Sequence, residues 1–81
     1  MITMKKLVEY VSAEPFRPFR IRMASGHSFD IRHPEMILVG RTSAKIYTAT
    51  EPEGADKWYD VSMMLMEIVE PLDIPVTQAN G

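Results

Sequence analysis

The side chains of this 81-residue chain with the most chemical capability are five arginines, two histidines and a cluster of methionines near the end. Arg17, Arg20, Arg22, Arg32 and Arg41 all fall between residues 15 and 41, where only Asp30 and Glu35 oppose them, a local charge of +3. Strand periodicity puts Arg20, Arg22 and Arg32 on one outer face, where planar guanidinium forks match phosphates or carboxylates. The plainer reading is a solvated sheet face partly neutralised by Asp30. Asp30, His33 and Glu35 could offer one nitrogen and two carboxylates to a divalent ion. On a regular strand, however, Asp30 and His33 point to opposite faces, and their spacing follows no zinc pattern, so no metal ligand is assigned. His33 is read as helping the bend before Pro34, and His27 as sitting beside a hairpin loop. The serines at 25, 28, 43 and 62 lack a nucleophile-elbow context, and the four glycines are too dispersed to cradle a phosphate. With no cysteine there is no disulfide, thiolate zinc site or thiol nucleophile. No catalytic residue, cofactor or small-molecule substrate is assigned, and the chain is expected not to be an enzyme.

Charge reverses along the chain. From Glu51 to Asp73 seven acids face Lys57 alone, a local charge of −6, against −2 for the whole chain. The same region holds Trp58, Tyr59, Met63 and Met64. Methionine is flexible and polarizable and can form an adaptable docking surface, although methionines plugging the end of a narrow core are the commoner case. Met63 and Met64 are neighbours and cannot both face inward, and Trp58 and Tyr59 should send one ring in and one out. An exposed Tyr59 beside exposed Met63 or Met64 would form an apolar patch suited to an interface.

The element that must position the arginines is a β-hairpin. In FRIRMASGHSFDIR, residues 19–32, apolar and polar residues alternate on both sides of one glycine. A loop of Ala24, Ser25 and Gly26, with Gly26 left-handed, sets Ile21 opposite Phe29, Phe19 opposite Ile31 and Arg20 opposite Asp30. A two-residue loop would strand charge in the core. The core is expected to hold Phe19, Ile21, Met23, Phe29, Ile31, Val39, Ile46, Trp58, Val61 and Ile68, with Arg20, Arg22, Asp30 and Arg32 exposed; Phe29→Ala should then cost about 3–5 kcal/mol.

Around the hairpin, Thr3 can cap a short helix whose apolar stripe is Met4, Leu7, Val8 and Val11, ended before Pro15. Phe16, in PFRPF, is expected to cover an open end of the core. Residues 27–39 read as one bent strand, 45–50 as a third, 51–56 as a turn and 58–61 as a fourth. A 3₁₀ turn at 62–65 precedes a fifth strand over 66–70. Residues 73–81 read as a flexible tail after a single domain over 1–72. No apolar run approaches the roughly 20 residues of a membrane span, and the first residues lack a signal-peptide core, so a cytoplasmic protein with no membrane partner is expected.

The order of a helix, five short strands with a bent second, and a one-turn helix before the last resembles the SH3-like and Sm-like small barrels. The expected fold is therefore mainly β (α+β), a five-stranded antiparallel barrel behind an N-terminal helix. PFRPFRIRMASGHSFDIRHPE resembles a block shared by small uncharacterised bacterial proteins of similar length, which implies a bacterial cytoplasmic origin and a single-domain fold. Neither resemblance supplies catalytic or ligand residues.

The expected function is a non-catalytic interaction or self-assembly module, with Arg20, Arg22, Arg32, Tyr59, Met63 and Met64 as candidate contacts. A protein partner or a second copy is favoured. Candidate oligomer edges are the strands carrying Lys45 and Tyr47, and Glu67 and Glu70, whose unlike charges would attract. The alternative is Sm-like nucleic-acid binding through the arginine face, against which a pI near 5.6 argues.

Overall fold

The computed structural model describes residues 2–50 and 55–72; the proposed tail over 73–81 and most of the turn over 51–56 lie outside them. Helix α1 spans Met4–Val11, with the Thr3 side chain accepting a hydrogen bond from the Lys6 N–H. Six strands follow: β1 Phe19–Met23, β2 Ser28–Ile31, β3 Ile37–Val39, β4 Ser43–Thr50, β5 Ala55–Ser62 and β6 Met66–Pro71. They form two antiparallel three-stranded sheets, ordered β2-β1-β6 and β3-β4-β5.

The hairpin follows its sequence in every pairing. Phe19 faces Ile31, Arg20 faces Asp30 and Ile21 faces Phe29. Gly26 has φ +98°, its N–H donates to the Met23 carbonyl at 2.9 Å, and the Met23 N–H donates to the His27 carbonyl at 2.8 Å. A three-residue loop closed through a left-handed glycine keeps the alternation in phase.

The second strand is not continuous. Pro34–Met36 forms a 3₁₀ turn, with the Met36 N–H reaching the His33 carbonyl at 3.1 Å. Pro34 has no N–H to give a ladder, so pairing stops and restarts in the other sheet. Five strands therefore become six, in two sheets that do not form a closed barrel. The 3₁₀ turn before the last strand is present at Met63–Leu65, with Ser62 Oγ accepting from the Met64 N–H.

One core lies between the sheets: Leu7, Phe19, Ile21, Met23, Ile31, Ile37, Ala44, Ile46, Met63 and Met66. The helix contributes Leu7 with partly buried Tyr10 and Val11, while Met4 and Val8 stay exposed, so the buried stripe is narrower than the apolar spacing indicated. Tyr10 and Phe16, both partly buried against the core, pack their rings on Phe19, with centroids 5.1 and 6.0 Å away. Phe29, Val39 and Val61 are only partly buried, and Trp58 and Ile68 are exposed. Ile68 sits opposite Arg22 on the outer face of its sheet, because a bulge at Glu67 shifts the register between Arg22 and Met23.

Candidate interaction surface

The arginine face is assembled as its alternation dictates, but it is occupied by its own acids. Arg20 forms a two-pronged contact with Asp30, at 2.7 and 3.2 Å. Arg32 approaches the same carboxylate at 3.6 Å, and Arg22 reaches Glu70 at 2.9 Å. Asp30 is half-buried rather than exposed. The hydrogen bond from Arg20 holds its carboxyl below the usual aspartate range, with the charges of Arg20, Arg32 and Arg22 acting in the same direction against the cost of burial. Glu70, a candidate oligomer-edge residue by its sequence, belongs to this ion-paired face. Strand β6 returns beside β1 and opposes Arg20 with Glu70, a pairing that local alternation could not reveal.

Strand order also corrects the proposed edges. β4 lies between β3 and β5, and Lys45 faces Leu38 on one side and Asp60 on the other, with its ammonium 3.1 Å from the Asp60 carboxylate. The strand of Lys45 and Tyr47 is therefore interior to its sheet. Tyr47 instead packs its ring against Trp58 on the outer face, with centroids 5.1 Å apart. The strand of Glu67 and Glu70 does lie at an edge, and β5 bounds the other sheet.

The apolar surface is larger than foreseen and differently arranged. Trp58 is 53% exposed, Tyr59 38%, Met64 74% and Leu65 56%, all within eight residues. Trp58 and Tyr59 thus both reach solvent, one on the outer face and the other at the open margin of the core, where its ring lies 5.5 Å from that of Phe29. Met63 is buried, and so it is a core residue rather than a contact. A three-residue period through the 3₁₀ turn directs Met63 and Met66 inward together and leaves Met64 and Leu65 outside. That period was the available signal for Leu65, which the sequence reading passed over.

Tyr59 and Met64 do not share a patch. Met64 lines a small groove with Met4, Arg41 and Thr42 beside the helix start. Tyr59 and Leu65 line a wider one of about 590 Å³ with Met23, Phe29 and Val61, rimmed by Ser25, His27, Asp60 and Ser62. This groove runs between β5 and the tip of the hairpin. Its far wall is fixed by the Ala24 N–H, which donates to the Leu65 carbonyl at 2.7 Å. Ser25 Oγ stands 3.4 Å from His27 Nδ1 and also accepts from the His27 N–H, local contacts that shape the hairpin loop. No helix among the described residues is long and apolar enough to cross a membrane. Compared with protein-family models, curated proteins and solved structures, the chain matches none.

Proposed function

We propose that this protein is a non-catalytic cytoplasmic interaction or self-assembly module, whose contact surface is the stretch from Trp58 to Leu65. The observation that carries the reading is the concentration of four exposed large apolar side chains in eight residues, beside an apolar groove. Trp and Tyr are among the side chains most enriched at energetically dominant contacts, and Tyr59 and Leu65 share the apolar groove while Trp58 and Met64 flank it on separate surfaces. The proposal includes the idea that the two sheets are the halves of an SH3-like or Sm-like small barrel. Support comes from the leading helix, from β6 returning to β1, and from the 3₁₀ turn just before β6.

The corrected strand order weakens one form of self-assembly. With β5 in place of β4 as the edge strand facing β6, Asp60 rather than Lys45 would approach Glu67 and Glu70, and the attraction of unlike charges is lost. Self-association is then expected through the apolar side chains rather than by pairing β5 with β6.

The nucleic-acid alternative is disfavoured by the ion pairs, since Arg20, Arg22 and Arg32 already face Asp30 and Glu70. Titration with single-stranded RNA at low and physiological salt separates the two readings. Only weak binding at physiological salt is expected. Submicromolar binding that falls steeply with salt, with a slope reduced by about one for each of Arg20→Ala and Arg22→Ala, would reverse the ranking.

A further inference from the structure

We propose that Met64 is a reversible oxidation site, and that conversion of its thioether to the sulfoxide by a peroxide dissolves the contact made by residues 58–65. This inference rests on the reading of that stretch as a contact surface and adds its regulation.

Chemistry and position single this sulfur out. The chain has seven methionines and no cysteine, so its thioethers are the sulfur centres that a peroxide meets. Met23, Met63 and Met66 are buried and Met36 is partly so, whereas Met64 is 74% exposed and Met4 43%. The contrast between the neighbours Met63 and Met64 is fixed by the backbone. The Met63 N–H donates to the Thr42 carbonyl at 2.9 Å, Ser62 Oγ accepts from the Met64 N–H at 3.2 Å, and the Ala24 N–H donates to the Leu65 carbonyl at 2.7 Å. Held on both sides, the 3₁₀ turn keeps one thioether in the core and the other in solvent.

The product suits the free molecule better than the contact. In the reaction the sulfur takes one oxygen from the peroxide, whose O–O bond breaks; hydrogen peroxide leaves as water, and the sulfur is oxidised by two electrons. A flexible apolar side chain becomes a polar one. Arg41 and Thr42 line the groove of Met64, and Arg41 makes no ion pair among the described residues, so donors for the new oxygen stand beside it while the groove is uncovered. An apolar partner surface offers none, and covering the sulfoxide there strands a polar group.

The test exposes the full chain to dilute hydrogen peroxide, reads each methionine by peptide mass spectrometry, and follows association by sedimentation. Met64 should oxidise at least about tenfold faster than Met63 and Met66, and more slowly at high protein concentration, where the contact covers it. Chain oxidised at Met64 should associate at least about tenfold more weakly, and methionine sulfoxide reductase with a thiol reductant should restore the affinity. Met64→Leu keeps an apolar side chain without the sulfur, so its association should survive peroxide. Met64→Gln imitates the polar product and should associate as weakly as the oxidised chain. Oxidation of Met64 no faster than that of Met63, association unchanged by the sulfoxide, or an equal effect of peroxide on Met64→Leu would overturn the proposal. The same samples separate the two levels. If association is lost in the double variant Met64→Ser, Leu65→Ser yet is indifferent to the sulfoxide, this inference fails and the contact surface stands. A chain that is monomeric at every concentration loses both.

Discussion

Asp30 carries more of the outer face of the first sheet than any other residue, since Arg20 and Arg32 both lean on it. Its carboxyl is held below the ordinary aspartate value, mainly by the Arg20 hydrogen bond. A depressed folded-state pKa means the unfolded chain takes up this proton first as pH falls. Its stabilising contribution is thus complete above the unfolded value of about 4 and disappears as pH drops through the lower folded value. Asp30→Asn should flatten the loss of melting temperature in that acid window. An unchanged acid slope would show that the pair contributes nothing. Burial was less legible than pairing at this scale. Alternation separated Ile21 and Ile31 from Arg20 and Arg22 correctly and put Phe29 on the inner face, but period two gives the face of a strand and not how completely that face is covered; Trp58 lies on the face of β5 opposite to Val61, so the two could not both belong to the core. Phe29 lies at the open groove against Tyr59, so Phe29→Ala should cost less than the 3–5 kcal/mol its register suggests. Phe19→Ala, at a fully buried site ringed by Tyr10 and Phe16, should cost about 3–5 kcal/mol. Paired urea melts check the order, and a larger loss for Phe29→Ala would contradict it.

At the level of elements, the first hairpin was readable because its glycine, loop length and alternation all demand one register. Gly26 has open space around it, so adding a methyl group tests the backbone alone. Gly26→Ala should destabilise by about 1–2 kcal/mol, and Gly26→Asn by less, since asparagine tolerates positive φ. If alanine is neutral in a thermal melt, the left-handed turn is not what fixes the register. The interruption at Pro34 was visible as a broken ladder but not as a change of sheet. Nor could the sequence reveal that β4 is interior, because Lys45 to Thr50 alternates in the same way whether one neighbour or two flank it. Strand order emerges only from long-range closure, in which β6 returns to β1 and brings Glu70 to Arg22. The edges of that sheet are the short β3 and the longer β5, and much of the revised surface follows from β5 taking the place expected of β4.

For the whole molecule, the charge asymmetry seen along the chain divides between two surfaces of different character. The arginine-bearing sheet neutralises itself with Asp30 and Glu70, whereas the other sheet and the 3₁₀ turn present Trp58, Tyr59, Met64 and Leu65 to solvent. The general location of the site was legible from its aromatic and methionine content. The separation of Tyr59 from Met64 and the role of Leu65 were not, since they depend on how the 3₁₀ turn is pinned between Thr42 and Ala24. A domain this small has only marginal stability to spare, so covering this surface should stabilise it measurably. Sedimentation equilibrium over a wide concentration range tests that claim most directly, run on the unaltered protein and on the double variant Met64→Ser, Leu65→Ser, whose two exposed side chains contribute little to the core. The unaltered protein should gain mass and melting temperature with concentration, and the variant should remain monomeric with a melting temperature independent of dilution. If both proteins are strictly monomeric and melt identically at every concentration, the exposed surface does not drive self-assembly; if both associate equally, the contact lies elsewhere on the molecule.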